Sequence, residues 1–132
     1  VSLGGFFSKE PTVVRIAPDV GRNRVLITLA GQPTLDHYAE AERQLRDALS
    51  RLRAPVDVLS DIRELDSMSD DLVDAFRKIG TTLSTFGVRR VVRVVGKSAR
   101  AAVHMERLSR QLKNHAAHLA FSMAEAEQVF GK

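Results

Sequence analysis

One ordered pattern constrains this chain more than any single motif. Two β-branched runs lie across a turn, and helix-period and strand-period segments then alternate to the end. Val13-Val14-Arg15-Ile16 leads into Pro18-Asp19-Val20-Gly21, and Arg24-Val25-Leu26-Ile27-Thr28-Leu29 follows, closed by Gly31-Gln32-Pro33. Turn residues between two such runs predict an antiparallel pair. Leu35, Tyr38, Leu45, Ala48, Leu49 and Leu52 recur at helical spacing, which predicts a helix over about 35–53 with Thr34 as N-cap, stopped by Ala54-Pro55. Val56 to Ser60 reads as a short strand. Ser69 then opens a helix with Asp70, Asp71 and Asp74 early and Arg77-Lys78 later, the order that suits the helix dipole. Its inner stripe is Leu72, Val73, Phe76, Ile79, Leu83 and Phe86, and Gly87 ends it.

Arg90 to Val95 is the clearest strand. Ser98 caps a helix to about Asn114, with Val103, Met105, Leu108 and Leu112 expected inside. His118 to Phe121 is a last strand, and Ser122 with Glu125 forms a capping box for a helix over 124–130. The predicted order is β-β-α-β-α-β-α-β-α. Strands alternating with helices imply parallel crossovers after the antiparallel opening, so the class is α/β with a mixed sheet. No repeat or linker-like run divides the chain. A single domain over 12–132 is expected, preceded by an extension at 1–11 that carries Phe6-Phe7.

The 132 residues include no cysteine, which excludes thiol catalysis and cysteine-ligated zinc. No stretch approaches the roughly 20 apolar residues of a membrane helix, and the first residues do not read as a secretory signal. A cytoplasmic location is expected. Charge is uneven: residues 1–66 sum to −1 and residues 67–132 to +5. Between Arg89 and Lys113, eight basic side chains face Glu106 alone. Lys97, Arg100, Arg107, Arg110 and Lys113 are therefore candidates to hold an anion, whether nucleic acid or acidic lipid. Nucleic acid is disfavoured, because no aromatic lies among these cations to stack on a base. The plain alternative is a solvated helix face.

Motifs with chemistry are scarce. Gly96-Lys97-Ser98 follows a strand, but a phosphate loop needs a glycine five residues before its Gly-Lys, and Val91 stands there. A turn with a Ser98 cap is the simpler reading. His104, His115 and His118 would bind zinc only by converging, and no carboxylate is placed to orient them; no metal and no cofactor is expected. His37 reads as a surface residue. No Ser-His-Asp signature occurs. The carboxylates Asp61, Glu64, Asp66, Asp70 and Asp71 gather around one strand-to-helix loop, where helix and loop capping explains them without catalysis.

That loop carries a resemblance. Asp61-Ile62-Arg63-Glu64-Leu65-Asp66-Ser67-Met68-Ser69-Asp70-Asp71-Leu72 resembles the Asp-Leu-Arg, then Ile/Met-Ser, strand-to-helix pattern of the SpoIIAA-like proteins, relatives of the STAS domains. Val25 to Gly31, Arg90 to Gly96, and Phe121 with Ala124 to Phe130 resemble the flanking family elements, so the likeness runs over about residues 12–130. It implies a SpoIIAA-like, STAS-like mixed sheet and a non-enzymatic domain that binds a partner protein, alone or as a homodimer. The expected contact is the loop and helix start from about Asp66 to Ile79, with Asp66, Ser67, Ser69, Asp70, Asp71 and Asp74 as its polar residues. Family members switched by phosphorylation carry Asp-Ser-Ser-Gly here. In this chain the acceptor position holds Asp70 and the glycine is missing, which leaves Ser67 and Ser69 as the nearby hydroxyls. The alternative is a ligand or lipid carrier with a cavity lined by Leu83, Phe86, Met105 and Phe121.

Overall fold

The computed structural model describes residues 11–96, 98, 101, 103–106 and 117–131. Five strands form one sheet in sequence order: β1 (Val13–Asp19), β2 (Arg24–Ala30), β3 (Val56–Asp61), β4 (Val88–Val94) and β5 (His118–Ala120). β1 and β2 are antiparallel, and every later neighbour is parallel. The connections hold α1 (Tyr38–Ser50), α2 (Asp70–Phe86) and a helical stretch at 101 and 103–106; α3 (Met123–Phe130) ends the described chain.

The expected order of elements is present, with local differences. A 3-10 turn at Leu35–His37 precedes α1, because the His37 ring turns back to accept the Thr34 backbone N–H on Nδ1 at 3.0 Å. Leu35 is therefore exposed rather than part of the inner stripe. Val103 also lies outside, although its helical stretch buries Ala101 and Met105. Leu108 and Leu112 lie outside the described residues. Gly87 ends α2 as expected, at a φ of 117° that a side chain rarely adopts, and its N–H donates to the Leu83 carbonyl at 2.9 Å. In α3, Ser122 Oγ accepts the Glu125 N–H at 3.1 Å, but the Glu125 carboxylate reaches past Ser122 to the Phe121 N–H.

Strand alternation divides the core in two. Ile16, Val25, Ile27, Val56 and Val58 face one side, where they pack with Leu45 and Leu49 of α1 and Leu72, Val73, Phe76 and Ile79 of α2. Leu59, Val92, Val94 and Ala120 face the other side and meet Ala126 and Phe130 of α3. Each fully buried Leu or Phe contributes roughly 1.5–3 kcal/mol.

One row on the α3 side is charged. The register sets Asp19, Arg24, Asp57 and Arg90 side by side across four strands, with signs alternating. Arg24 and Asp57 are buried. Asp57 accepts two hydrogen bonds from Arg89, at 3.1 and 2.6 Å, and Arg90 lies 3.7 Å away. Arg24 bonds Glu127 at 2.8 Å, which holds the Glu127 carboxyl below its usual range. Opposite charges on adjacent strands satisfy one another where a lone ion would be costly.

Candidate functional site

In sheets of this kind the carboxyl ends of the parallel strands are where loops of different elements converge and ligands bind. Here β3, β4 and β5 end around an open groove of about 650 Å³. Arg63, Glu64, Leu65 and Asp66 from the loop after β3 form one wall. Val95, Gly96 and Ser98 after β4, with Phe121 after β5, form the other. Phe121 is 73% exposed, the most open large apolar side chain among the described residues.

Several bonds hold the first wall. Arg63 turns back on Asp61 with a fork of 2.9 and 2.8 Å, and its backbone N–H adds a bond of 3.1 Å. The guanidinium bonds hold the Asp61 carboxyl below its ordinary value, against the opposing effect of burial. A lowered folded-state pKa adds stability above the unfolded value near pH 4, and that contribution is lost as the pH falls through the folded value. The urea midpoint of the native protein should therefore exceed that of Arg63→Gln at pH 6–7, and the gap should shrink as the pH drops below about 4. A gap that does not change with pH would show that the Asp61 charge contributes nothing to the difference.

Asp66 is half-buried and engaged. Its carboxylate accepts from Gln32 Nε2 at 2.6 Å, its N–H donates to the Gly31 carbonyl at 2.8 Å, and its carbonyl accepts from Ser98 Oγ at 2.6 Å. Ser98 Oγ also accepts the Ala101 N–H at 3.1 Å, as expected of a cap. Gly96 lies so close to the opposite wall that an added Cβ would meet the Arg63 carbonyl oxygen at 2.1 Å.

The other expected site residues divide by exposure. Asp70, Asp71 and Asp74 stand in solvent on the first turns of α2, with Asp74 paired to Arg77 at 3.1 Å. Leu72, Val73, Phe76 and Ile79 point into the core, so the first turns of α2 offer a partner an acidic side, with Lys78 exposed further along. Ser67 is half-buried, and its N–H donates to the Gly31 carbonyl at 3.3 Å. Ser69 is the residue before α2, but its Oγ is buried and has no hydrogen-bond partner; the Val73 N–H goes to the Ser69 carbonyl instead. Ser69 thus opens α2 without a side-chain cap bond. Lys97, Arg100, Arg107, Arg110, Lys113 and His115 lie outside the described residues.

His104 does not look toward a metal. Its Nδ1 accepts the Met68 backbone N–H at 3.2 Å, which ties the helical stretch to the loop. His118 is exposed on β5. Among the described residues, no three His, Asp or Glu side chains are grouped as metal ligands. The four residues proposed to line one carrier cavity do not meet in one. Leu83 and Met105 are inside the core, Phe86 borders a shallow groove with Leu49, and Phe121 faces solvent. No helix among the described residues is long and apolar enough to cross a membrane.

Sequence reasoning gave no site role to Gly96, Arg63 or Gln32, weighed His104 only as a zinc ligand, and set Phe121 in the lining of a carrier cavity. Phe121 alone had a signal: Ala120 is the inward residue of β5, so 119 and 121 alternate outward. The others depend on contacts distant in sequence.

No family model matches this sequence, and no curated protein does. A solved structure does. An uncharacterised protein of the DUF3478 family from Shewanella loihica PV-4, titled as having a SpoIIAA-like fold, superposes with a TM-score of 0.70. The match covers 92% of this chain and 96% of that one. The present chain has a SpoIIAA-like fold. At 17% identity the likeness concerns architecture alone. It agrees with the resemblance read from the loop at 61–72 and with the antiparallel opening of the sheet.

Proposed function

We propose that this SpoIIAA-like domain is a non-enzymatic interaction module that binds a partner protein through the loop and helix start around residues 66–79. The observation that carries the reading is the open groove beside the exposed Phe121, at the end of the sheet where α2 presents Asp70, Asp71 and Asp74. An exposed aromatic next to a polar rim is the composition of a protein-binding surface. The wall at Arg63 to Asp66 is tied to the rest of the fold by backbone bonds, so docking there requires little ordering.

Capture from a nuclease-treated native lysate, followed by mass spectrometry, tests this with three baits. Native protein and Ser69→Ala should retain the same partner at moderate salt. Asp70→Lys/Asp71→Lys should lose it by at least about tenfold while remaining folded at the capture temperature, although two reversed charges at the start of α2 lower its melting temperature. Ser69→Ala should change folding stability by less than about 0.5 kcal/mol, since no cap bond is lost. A partner captured equally by the charge-reversed bait would reject this surface.

A further inference from the structure

We infer that the recess at the amino end of β3 binds a phosphate group between Arg22 and Arg89. The recess sits where the β1–β2 turn, the chain before β3 and the start of β4 come together, at the end of the sheet opposite the groove. It has a volume of about 270 Å³ and is lined by Arg22, Asn23, Pro55, Asp57 and Arg89. Each arginine is held along one edge by a carboxylate. Arg22 Nη1 donates to Asp19 at 3.2 Å, and Arg89 donates from Nε and Nη2 to Asp57 at 3.1 and 2.6 Å. Arg22 Nη2 and Arg89 Nη1 take no part in these bonds. Both arginine side chains are more than half exposed, whereas Asp57 is 4% exposed. A buried acid thus aims an exposed guanidinium, which leaves it less side-chain freedom to lose when an anion binds.

Asn23 makes the floor of the recess rigid. Its backbone is left-handed, at a φ of 54°. Its side chain clasps the loop before β3: Nδ2 donates to the carbonyls of Arg53 and Pro55 at 2.7 and 3.2 Å, and Oδ1 accepts the Arg53 N–H at 2.9 Å. Its carbonyl accepts the Asp57 N–H at 3.3 Å. Charge then selects the ligand. Arg24, Arg53 and Arg90 bring the arginines around the recess to five, against the carboxylates of Asp19, Asp57 and Glu127. A doubly charged phosphate matches that excess and offers oxygens to both guanidiniums, where a carboxylate leaves one charge unmatched. Asp57 does not oppose it, because Arg89 and Arg90, at 2.6 and 3.7 Å, balance its charge. No aromatic lines the recess to stack a base, so the group recognised is the phosphate and not a nucleic-acid strand.

The probe is sodium phosphate at about pH 7.5, where the group is close to doubly charged, added to the full chain at an ionic strength held constant with sodium chloride. The backbone amides of Arg22, Asn23 and Arg89 should shift in NMR spectra along saturable curves with a midpoint of about 1 mM or below. Arg22→Gln, at an exposed position that leaves the fold intact, should raise that midpoint at least about tenfold. Asp57→Asn/Arg89→Gln removes the second arginine without stranding a buried charge and should do the same. Arg43→Gln, an equally exposed arginine on α1, should change it by less than about twofold. Glycerol phosphate in place of phosphate separates the two sources of the group: tighter binding assigns the site to an ester, and equal or weaker binding to the free anion. Shifts that do not saturate, or midpoints that agree between Arg22→Gln and Arg43→Gln, would overturn the inference. The recess and the groove share no lining residue, so this inference and the partner reading fail separately.

Discussion

Phe130→Ala should lower folding stability by about 4 kcal/mol, measured by urea unfolding at neutral pH. The ring is nearly buried under the α3 side of the sheet, where Leu59, Val92, Val94 and Ala126 surround it. Its loss leaves a cavity in the smaller of the two cores. It also strips two cations of their cover. The Arg24 guanidinium carbon lies 3.8 Å from the ring centroid and that of Arg90 lies 5.5 Å away. Arg24 Nε and Arg90 Nε have no hydrogen-bond partner in the protein, so the ring face is what meets them. Arg90 meanwhile donates to the carbonyls of Val129 and Phe130 at 2.9 and 2.8 Å and holds the last turn of α3. Phe130→Leu restores apolar volume without a π face and should recover only part of the loss. A Leu variant as stable as the native protein would show that the cation contacts contribute nothing. Against a typical total of 5–15 kcal/mol, the Ala variant should approach the limit of folding.

Gly96→Ala should disturb the groove more than any other single methyl. The added Cβ would lie 2.1 Å from the Arg63 oxygen and 2.8 and 2.9 Å from the Arg63 carbonyl carbon and Cα. All three are backbone atoms, so no side chain can swing aside. The ladder must open where the Ile62 N–H bonds the Val94 carbonyl at 2.9 Å, or the chain after β4 must peel away. Overpacking of this kind costs about 2 kcal/mol. Amide shifts in NMR spectra should concentrate at 62–66 and 95–98 and leave Asp57 and Arg90 unmoved, and partner capture should fall with them. Gly21→Ala is the control, since its Cβ would find only Asp19 Oδ1 at 3.8 Å. Equal effects from the two substitutions would refute the close approach.

Some of the site could be read from local sequence. The Asp61–Leu72 loop stands out as a strand end followed by an acidic helix start, and it forms one groove wall. Asp70, Asp71 and Asp74 are exposed as their place on α2 requires. Ser69 shows the limit of such reading. It has the right type and position for a cap, yet its hydroxyl is buried without a partner, while the Ser67 and Ser69 N–H groups donate to the Gly31 and Pro33 carbonyls and fix the backbone there. Asp66 likewise looks like a free surface carboxylate until Gln32, 34 residues away, is found bonded to it.

What the sequence determined by itself is the order and kind of the elements. Periods of two and near four, with turn residues between them, specify two strands and then alternating helices and strands, since each pattern can bury its apolar side in only one conformation. Which residues share a row was settled only by the tertiary structure. Asp19, Arg24, Asp57 and Arg90 become neighbours through register, and Phe130 reaches Arg24 and Arg90 only because α3 crosses to the other side of the sheet. The groove belongs to the same class of fact. Its walls come from three chain segments, and its width depends on a glycine whose neighbour lies 33 residues earlier. Local patterns report which side of an element is buried, whereas long-range packing decides what that side meets.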